Sequence, residues 1–286
     1  MKLVSYIHAA KESWGAVVGD DVVDMAAASG CATLADFVGS PQYARRDALL
    51  AAAGAPLARL ADVTLLPPIP RSEKIVCAVR NYMDHHQEVL AAGMHRELSE
   101  QPPIFLRVWR SQTAHGAPIV RPLVSESLDW EGELVVVIGQ GGRNISEADA
   151  WQHVAGYSIY NDASVREWQF HAKQIASGKN FESTGAFGPW MVTADEIAPG
   201  RQLKLETRLN GEVVQHSHTG HMIFDIPKLI AYSSTIFTLV PGDLIVTGTP
   251  AGVGWSRKPP RFMKAGDVCE VEIEAIGVLR NPIVDQ

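Results

Sequence analysis

Leu128-Asp129-Trp130-Glu131-Gly132-Glu133-Leu134-Val135-Val136-Val137-Ile138-Gly139 sets two carboxylates, two residues apart, at the mouth of a strongly apolar run. The run reads as a β-strand. Side chains alternate faces along a strand, so Glu131 and Glu133 point the same way. Like charges side by side on one face repel and destabilise the strand unless a cation lies between them. A solvated strand face is the competing reading, because carboxylates are mostly exposed.

A third carboxylate lies downstream. Gly156-Tyr157-Ser158-Ile159-Tyr160 reads as a short strand, and Asn161-Asp162 as turn or helix-cap chemistry opening a helix over residues 163–170. On that helix Arg166 and Gln169 fall four and seven residues after Asp162, roughly one face, so the three can address a common pocket. Three carboxylates with no nearby Cys or His ligand suit a hard, oxygen-seeking ion, Mg2+ or Mn2+, with Ca2+ a further candidate. Replacing Glu131 by Gln is expected to weaken ion binding and abolish turnover with the fold intact.

Further segments agree with one pattern. They are Lys74-Ile75-Val76-Cys77 leading to Arg80-Asn81-Tyr82-Met83-Asp84-His85, the Asp129-Trp130-Glu131-Gly132-Glu133-Leu134 motif, and Gly156-Tyr157 to Asn161-Asp162 with Arg166. Ser177-Gly178-Lys179, Gly188-Pro189-Trp190, Asn210-Gly211-Glu212 and Pro241-Gly242-Asp243 follow, then Thr247-Gly248-Thr249-Pro250-Ala251-Gly252-Val253-Gly254. In this order and spacing the chain resembles the fumarylacetoacetate hydrolase family over residues 74–282. The resemblance implies a mostly β catalytic domain of β-roll or mixed β-sandwich type and a homodimer. It carries metal ligands onto Glu131, Glu133 and Asp162, and a substrate-side cation onto Lys179. Substrate contacts fall on Arg166, Gln169 and Tyr82, and a contact to the substrate carboxylate on Thr249. His85 and Glu88 resemble the family's catalytic pair. Three residues apart on a helix they share a face, so the carboxylate can orient the imidazole, which can then take a proton from water near neutral pH.

These parts imply a metal-dependent hydrolase that cleaves a carbon–carbon bond in 2,4-dioxo acids. Acylpyruvates such as maleylpyruvate or fumarylpyruvate would give pyruvate and a carboxylic acid, in aromatic-compound breakdown. The alternative uses the same site as an oxaloacetate-type decarboxylase or a 2-hydroxyhepta-2,4-diene-1,7-dioate isomerase. A non-catalytic organic-acid binding protein is the reading from another class, and retention of His85 and Glu88 argues against it. Two departures from the family pattern bear on the substrate. Val79 stands where glycine is common, and Asn180-Phe181-Glu182 replaces a more usual Ser-Phe-Asp.

Composition agrees with a soluble globular protein: 286 residues, 46% hydrophobic and 20% charged. The net charge of −7 argues against nucleic acid or an anionic membrane as partner. Cys31, Cys77 and Cys269 have no paired spacing, and the N-terminus has no signal-peptide core, so a cytoplasmic location is expected. Leu66-Pro67-Pro68-Ile69-Pro70 marks a boundary between a small N-terminal α+β domain (1–70) and the catalytic domain (71–286). Strands are expected at 3–6, 14–18 and 22–25, and helices at 45–60, from His85 to Gly93, from a capping box at Ser146, and at 227–239. Leu203 to Gln215 with Asn210-Gly211 signals a hairpin. Glu270, Glu272 and Glu274 read as a solvated strand face. His216, His218 and His221 have zinc-like spacing but lack a fourth ligand. The fold class expected is α+β.

Overall fold

The apolar run forms the strand Gly132–Ile138, buried at every residue. In the computed structural model, which describes residues 1–93 and 97–286, this strand lies inside a twelve-stranded sheet. Val154–Asp162 and Leu244–Val246 flank it, both antiparallel. Gly185–Thr193 and then Lys2–His8, Lys11–Val18 and Asp21–Asp24 continue the sheet on one side; Ile75–Ala78 and the edge strand Ile104–Arg107 continue it on the other. A five-stranded sheet of Glu212–His218, Lys204–Leu209, Val268–Ile273, Gly277–Asp285 and Ile119–Arg121 completes the β framework.

Alternation along Gly132–Ile138 divides two cores. Leu134, Val136 and Ile138 cluster with Leu205, Val271, Ile273 and Leu279 of the second sheet. Val135 and Val137 cluster with Leu3, Trp14, Phe37, Ile75 and Leu244. An unbroken apolar run is what a strand covered on both faces requires. The mixed sheets with short helices make the fold α+β, as expected. The first 70 residues share the second cluster, and Lys2–His8 pairs with Gly185–Thr193, so one sheet runs from the N-terminal strands into the rest.

Several helices are shorter than their sequence patterns. The 45–60 stretch is helical only over Arg46–Ala52, because Gly54 at φ 87° and Pro56 end it. One half of the box at Ser146 forms, with Asp149 N–H donating to Ser146 Oγ at 3.2 Å, and only the 3-10 turn Ala150–His153 follows it. Ile226–Ile236 stops short of Leu239, whose N–H bonds instead to the Gly142 carbonyl. Asn210 (φ 54°) and Gly211 (φ 80°) make the expected hairpin turn between Lys204–Leu209 and Glu212–His218. The glutamate row is a surface face: Arg208 pairs with Glu270 and Glu272. Among the described residues no helix is long and apolar enough to cross a membrane.

Candidate active site

Strand register assembles the acid cluster. Gly132 pairs with Asn161 and Glu133 with Tyr160, and the Asp162 N–H donates to the Glu131 carbonyl at 2.8 Å. Asp162 therefore stands opposite Glu131 and diagonal to Glu133 on the same face, within reach of both. Ligand oxygens of Glu131, Glu133 and Asp162 lie within 4.8 Å of one another, the only such group of three found among the described residues. Asp162 ends the strand Val154–Asp162 rather than capping a helix. The helix is reduced to Arg166–Gln169, because Ser164–Val165 pairs with Leu128–Asp129 and the β-branched Val165 is buried there.

Three buried cations meet these carboxylates. Lys179 Nζ donates to Glu131 Oε2 and to Asp162 Oδ2, each at 2.6 Å. Arg166 reaches Glu131 Oε1 at 2.7 Å and, through Nε, Asp129 Oδ2 at 2.8 Å. Arg107 pairs with the other oxygen of Asp162 and donates to Thr184 Oγ1 at 2.7 Å. Burial alone would raise the Glu131 carboxyl, but Lys179 and Arg166 bring its pKa down to about 2. Glu133 makes no ion pair with these cations. Burial, with repulsion from Asp162 and Glu131, pushes its pKa well above the carboxylate range.

The donor set fits a divalent ion. Four buried carboxyl groups (Asp129, Glu131, Glu133, Asp162) face three buried cations (Arg107, Arg166, Lys179), so one carboxyl group is left without a cationic partner. That deficit lies at Glu133, and all three ligand groups are hard oxygen donors.

His85 and Glu88 lie on the helix Met83–Ala91, which begins one residue before Asp84 rather than after it. His85 Nδ1 meets Glu88 Oε2 at 2.9 Å. The carboxylate accepts the Nδ1 proton, which leaves Nε2 as the basic nitrogen. His85 lines the same cavity as Glu131, Glu133, Arg166, Gln169, Lys179 and Thr249, a space of about 330 Å³. Gln169 Oε1 accepts from Arg166 Nη1 at 2.9 Å, and Arg166 Nη2 has no hydrogen-bond partner, so a donor remains for a ligand. The Thr249 hydroxyl donates to the Gly132 carbonyl at 3.0 Å. Tyr82, expected to touch substrate, does not line the cavity. It is fully buried at the helix N-cap, its backbone bridged to Met222, and its hydroxyl has no hydrogen-bond partner.

The glycine-rich stretch after Leu244–Val246 is a cradle of N–H donors. Gly248 N–H donates to Glu133, Gly252 N–H to Glu88 Oε1 at 2.9 Å, and Gly254 and Trp255 N–H to Asp129 at 2.7 and 3.0 Å. Glycine is required at 252: φ is +104°, and an added Cβ would lie 2.2 Å from the Val214 carbonyl oxygen. Gly252→Ala should therefore cost about 3 kcal/mol or more, read as a fall in melting temperature of roughly 5–10 °C. An unchanged melt would contradict the required conformation.

Arg107, Asp129 and Gln215 carry parts that motif reading left unassigned. Gln215 accepts from Gly132 N–H at 3.0 Å and donates to Thr249 Oγ1 at 2.8 Å, tying the second sheet to the site. Arg107 sits in Ile104-Phe105-Leu106-Arg107, where a charged residue in an alternating run reads as the solvent side. Here Leu106 is exposed and Arg107 buried. Asp129 lay within the quoted motif, but its contacts depend on a loop 125 residues away in sequence.

The acid cluster and the His85–Glu88 pair meet at one cavity on an α+β framework. Residues 74–284 match the family model described as fumarylacetoacetate (FAA) hydrolase C-terminal, and the chain belongs to that family. A mitochondrial oxaloacetate tautomerase of Xenopus laevis is 43% identical over 225 residues, which is 78% of this chain and 69% of that protein. The oxaloacetate tautomerase YisK of Bacillus subtilis (strain 168) is 43% identical over 227 residues, 78% of this chain and 74% of that one. Maleylpyruvate hydrolase from Sphingobium sp. SYK-6, solved in complex with manganese(II) and pyruvate, superposes with TM-score 0.81 at 27% identity, covering 100% of this chain and 99% of that chain. A fumarylacetoacetate hydrolase from Exiguobacterium antarcticum gives TM-score 0.82 at 31% identity, covering 100% of each chain.

Proposed function

We propose that this chain catalyses keto–enol tautomerisation of oxaloacetate, with His85 as the group that moves the proton. The observation that carries the reading is the shared cavity, in which a carboxylate-oriented imidazole stands over the acid cluster and Arg166 keeps an unused donor. A divalent ion held by Glu131, Glu133 and Asp162 would supply Lewis-acid polarisation of the 2-oxo group. Arg166 and Gln169 orient the substrate carboxylate, and Lys179 adds positive charge beside the 2-oxygen. His85 Nε2 takes a proton from C3. The electron pair of that C–H bond forms the C2=C3 double bond, the imidazolium returns its proton to the 2-oxygen, and keto and enol forms interchange without change in composition. Glu88 steadies the imidazolium that forms.

The sequence expectation of an acylpyruvate hydrolase becomes the second reading. The oxaloacetate alternative has the stronger support, from relatives at 43% identity against 27% for the maleylpyruvate hydrolase. What favours hydrolysis is the same pair, since His85 could activate water as readily as it could take a C3 proton. One panel separates the two. Enol-oxaloacetate decay by ultraviolet absorbance, pyruvate release from acylpyruvates and CO2 release are each followed with added Mg2+ or Mn2+. Accelerated enol–keto exchange without acylpyruvate cleavage is expected, and cleavage without tautomerisation would overturn the proposal.

We also propose that the chain works as a homodimer. Leu106 and Val108 stand exposed on or beside the edge strand Ile104–Arg107, and Leu123 and Val124 are 76% and 60% exposed. Unpaired strand edges and exposed apolar side chains favour association. Light scattering at micromolar concentration should return twice the 31.1 kDa chain mass, and a monomeric mass would contradict the proposal.

A further inference from the structure

Both carboxylate oxygens of Glu88 are engaged. Oε2 meets His85 Nδ1 at 2.9 Å, while Oε1 accepts from Ser256 Oγ at 2.6 Å and from the Gly252 N–H at 2.9 Å. The Ser256 hydroxyl has a rival acceptor in the Val253 carbonyl at 3.0 Å. A hydroxyl carries one proton, and the nearer, charged acceptor takes it. Ser256 therefore donates to Glu88.

We propose that Ser256 is a positioning residue for the base: its hydroxyl fixes the Glu88 carboxylate, and that carboxylate fixes the His85 imidazole with Nε2 turned to the cavity. This rests on the reading of His85 as the proton-moving group. A glutamate anchored only by its own helix keeps several rotamers, and the imidazole it holds would share that freedom. Ser256 and Gly252 restrain it from a separate segment of chain. Burial would raise the Glu88 carboxyl, but the contacts from His85, Ser256 and the Gly252 N–H hold it below its ordinary value.

The same loop is pinned at a second point. Gly254 and Trp255 donate to Asp129 at 2.7 and 3.0 Å. Asp129 accepts from Arg166 Nε at 2.8 Å, and Arg166 reaches Glu131 at 2.7 Å. Residues 252 and 256 thus hold Glu88, while residues 254 and 255 between them hold Asp129 and, through it, the Arg166 guanidinium.

The test compares Ser256→Ala with Ser256→Thr in the full chain. Orienting partners of this kind typically cost 10–100-fold in activity when removed. Ser256→Ala should lower kcat for oxaloacetate tautomerisation about 10- to 100-fold in the Mg2+-loaded protein, with KM within about twofold. In metal-free protein it should broaden or erase the downfield NMR resonance of the His85 Nδ1 proton. Ser256→Thr keeps the hydroxyl and should restore both. Wild-type kcat with an intact Nδ1 resonance in Ser256→Ala would overturn the proposal. So would equal impairment of both variants with a shared drop in melting temperature. If Ser256→Ala does not fold, Ser256→Cys, a weak donor of similar size, takes its place with the same readouts. Absence of oxaloacetate turnover in the wild type would sink the functional reading alone, because the resonance needs no substrate.

Discussion

Glu133→Gln should abolish measurable divalent-ion binding while the chain stays folded. Glu133 has no cationic partner in the cluster, and burial with repulsion from Asp162 and Glu131 raises its pKa, so its charge is a burden to the metal-free protein. Removing that charge should leave the metal-free melting temperature equal to or above wild type. Loss of an outer-shell partner typically weakens a metal site 10–100-fold, so loss of a ligand should cost more than about 100-fold. Calorimetric titration with Mn2+ measures this directly. A melt gives the second readout: saturating Mn2+ at about 100 times its Kd stabilises the wild type by about 2.7 kcal/mol, and this gain should vanish in Glu133→Gln.

Glu131→Gln should behave differently, with a loss of stability added to the loss of ion binding. Glu131 holds Lys179 at 2.6 Å and Arg166 at 2.7 Å in a buried setting. Breaking a buried pair by removing one partner typically costs about 3–5 kcal/mol, because a charge is left uncompensated. Glu131→Gln should therefore lose ion binding and stability together. Chelator-treated wild type should be inactive until Mg2+ or Mn2+ is restored. Full activity after chelation, or an unchanged Mn2+ response in Glu133→Gln, would remove the acid cluster from the mechanism.

The contrast between these glutamates marks what the sequence could convey. Period-two alternation was enough to put Glu131 and Glu133 on one face, because that rule depends only on neighbours along the chain. The spacing from His85 to Glu88 likewise fixed their contact through one helical turn. Asp162 was singled out as the third carboxylate but read locally as turn or cap chemistry, since its strand is completed by pairing with Gly132–Ile138, a segment remote in sequence. Arg107, Asp129 and Ser256 were not assigned roles, because each acts through a segment remote in sequence. A motif records residue types at short range. It does not record which glutamate is already neutralised, and so it treated three unequal carboxylates as equivalent. Tyr82, next to the catalytic helix by number, is fully buried and does not line the cavity, which adjacency along the chain does not convey.

His85→Ala should lower turnover about 10²–10⁴-fold, the usual loss when a positioned general base is removed. None of Glu131, Glu133, Asp162, Arg166 or Lys179 hydrogen-bonds to the His85 side chain, so binding of the divalent ion and of oxalate or pyruvate should persist. The defect should appear in kcat, with little change in the affinity for those acids. Glu88→Ala should give a similar kinetic loss through the imidazole it orients. It should also lower the melting temperature, because the Gly252 N–H and the Ser256 hydroxyl lose their acceptor. The double variant then distinguishes a unit from two separate contributors. If Glu88 acts through His85, the double variant should turn over no more slowly than His85→Ala, while its melting temperature should fall with that of Glu88→Ala. Kinetic losses that add would mean that Glu88 serves the reaction independently of the imidazole. Wild-type turnover by His85→Ala would mean that the proton from C3 does not go to the imidazole, and would remove His85 from the mechanism.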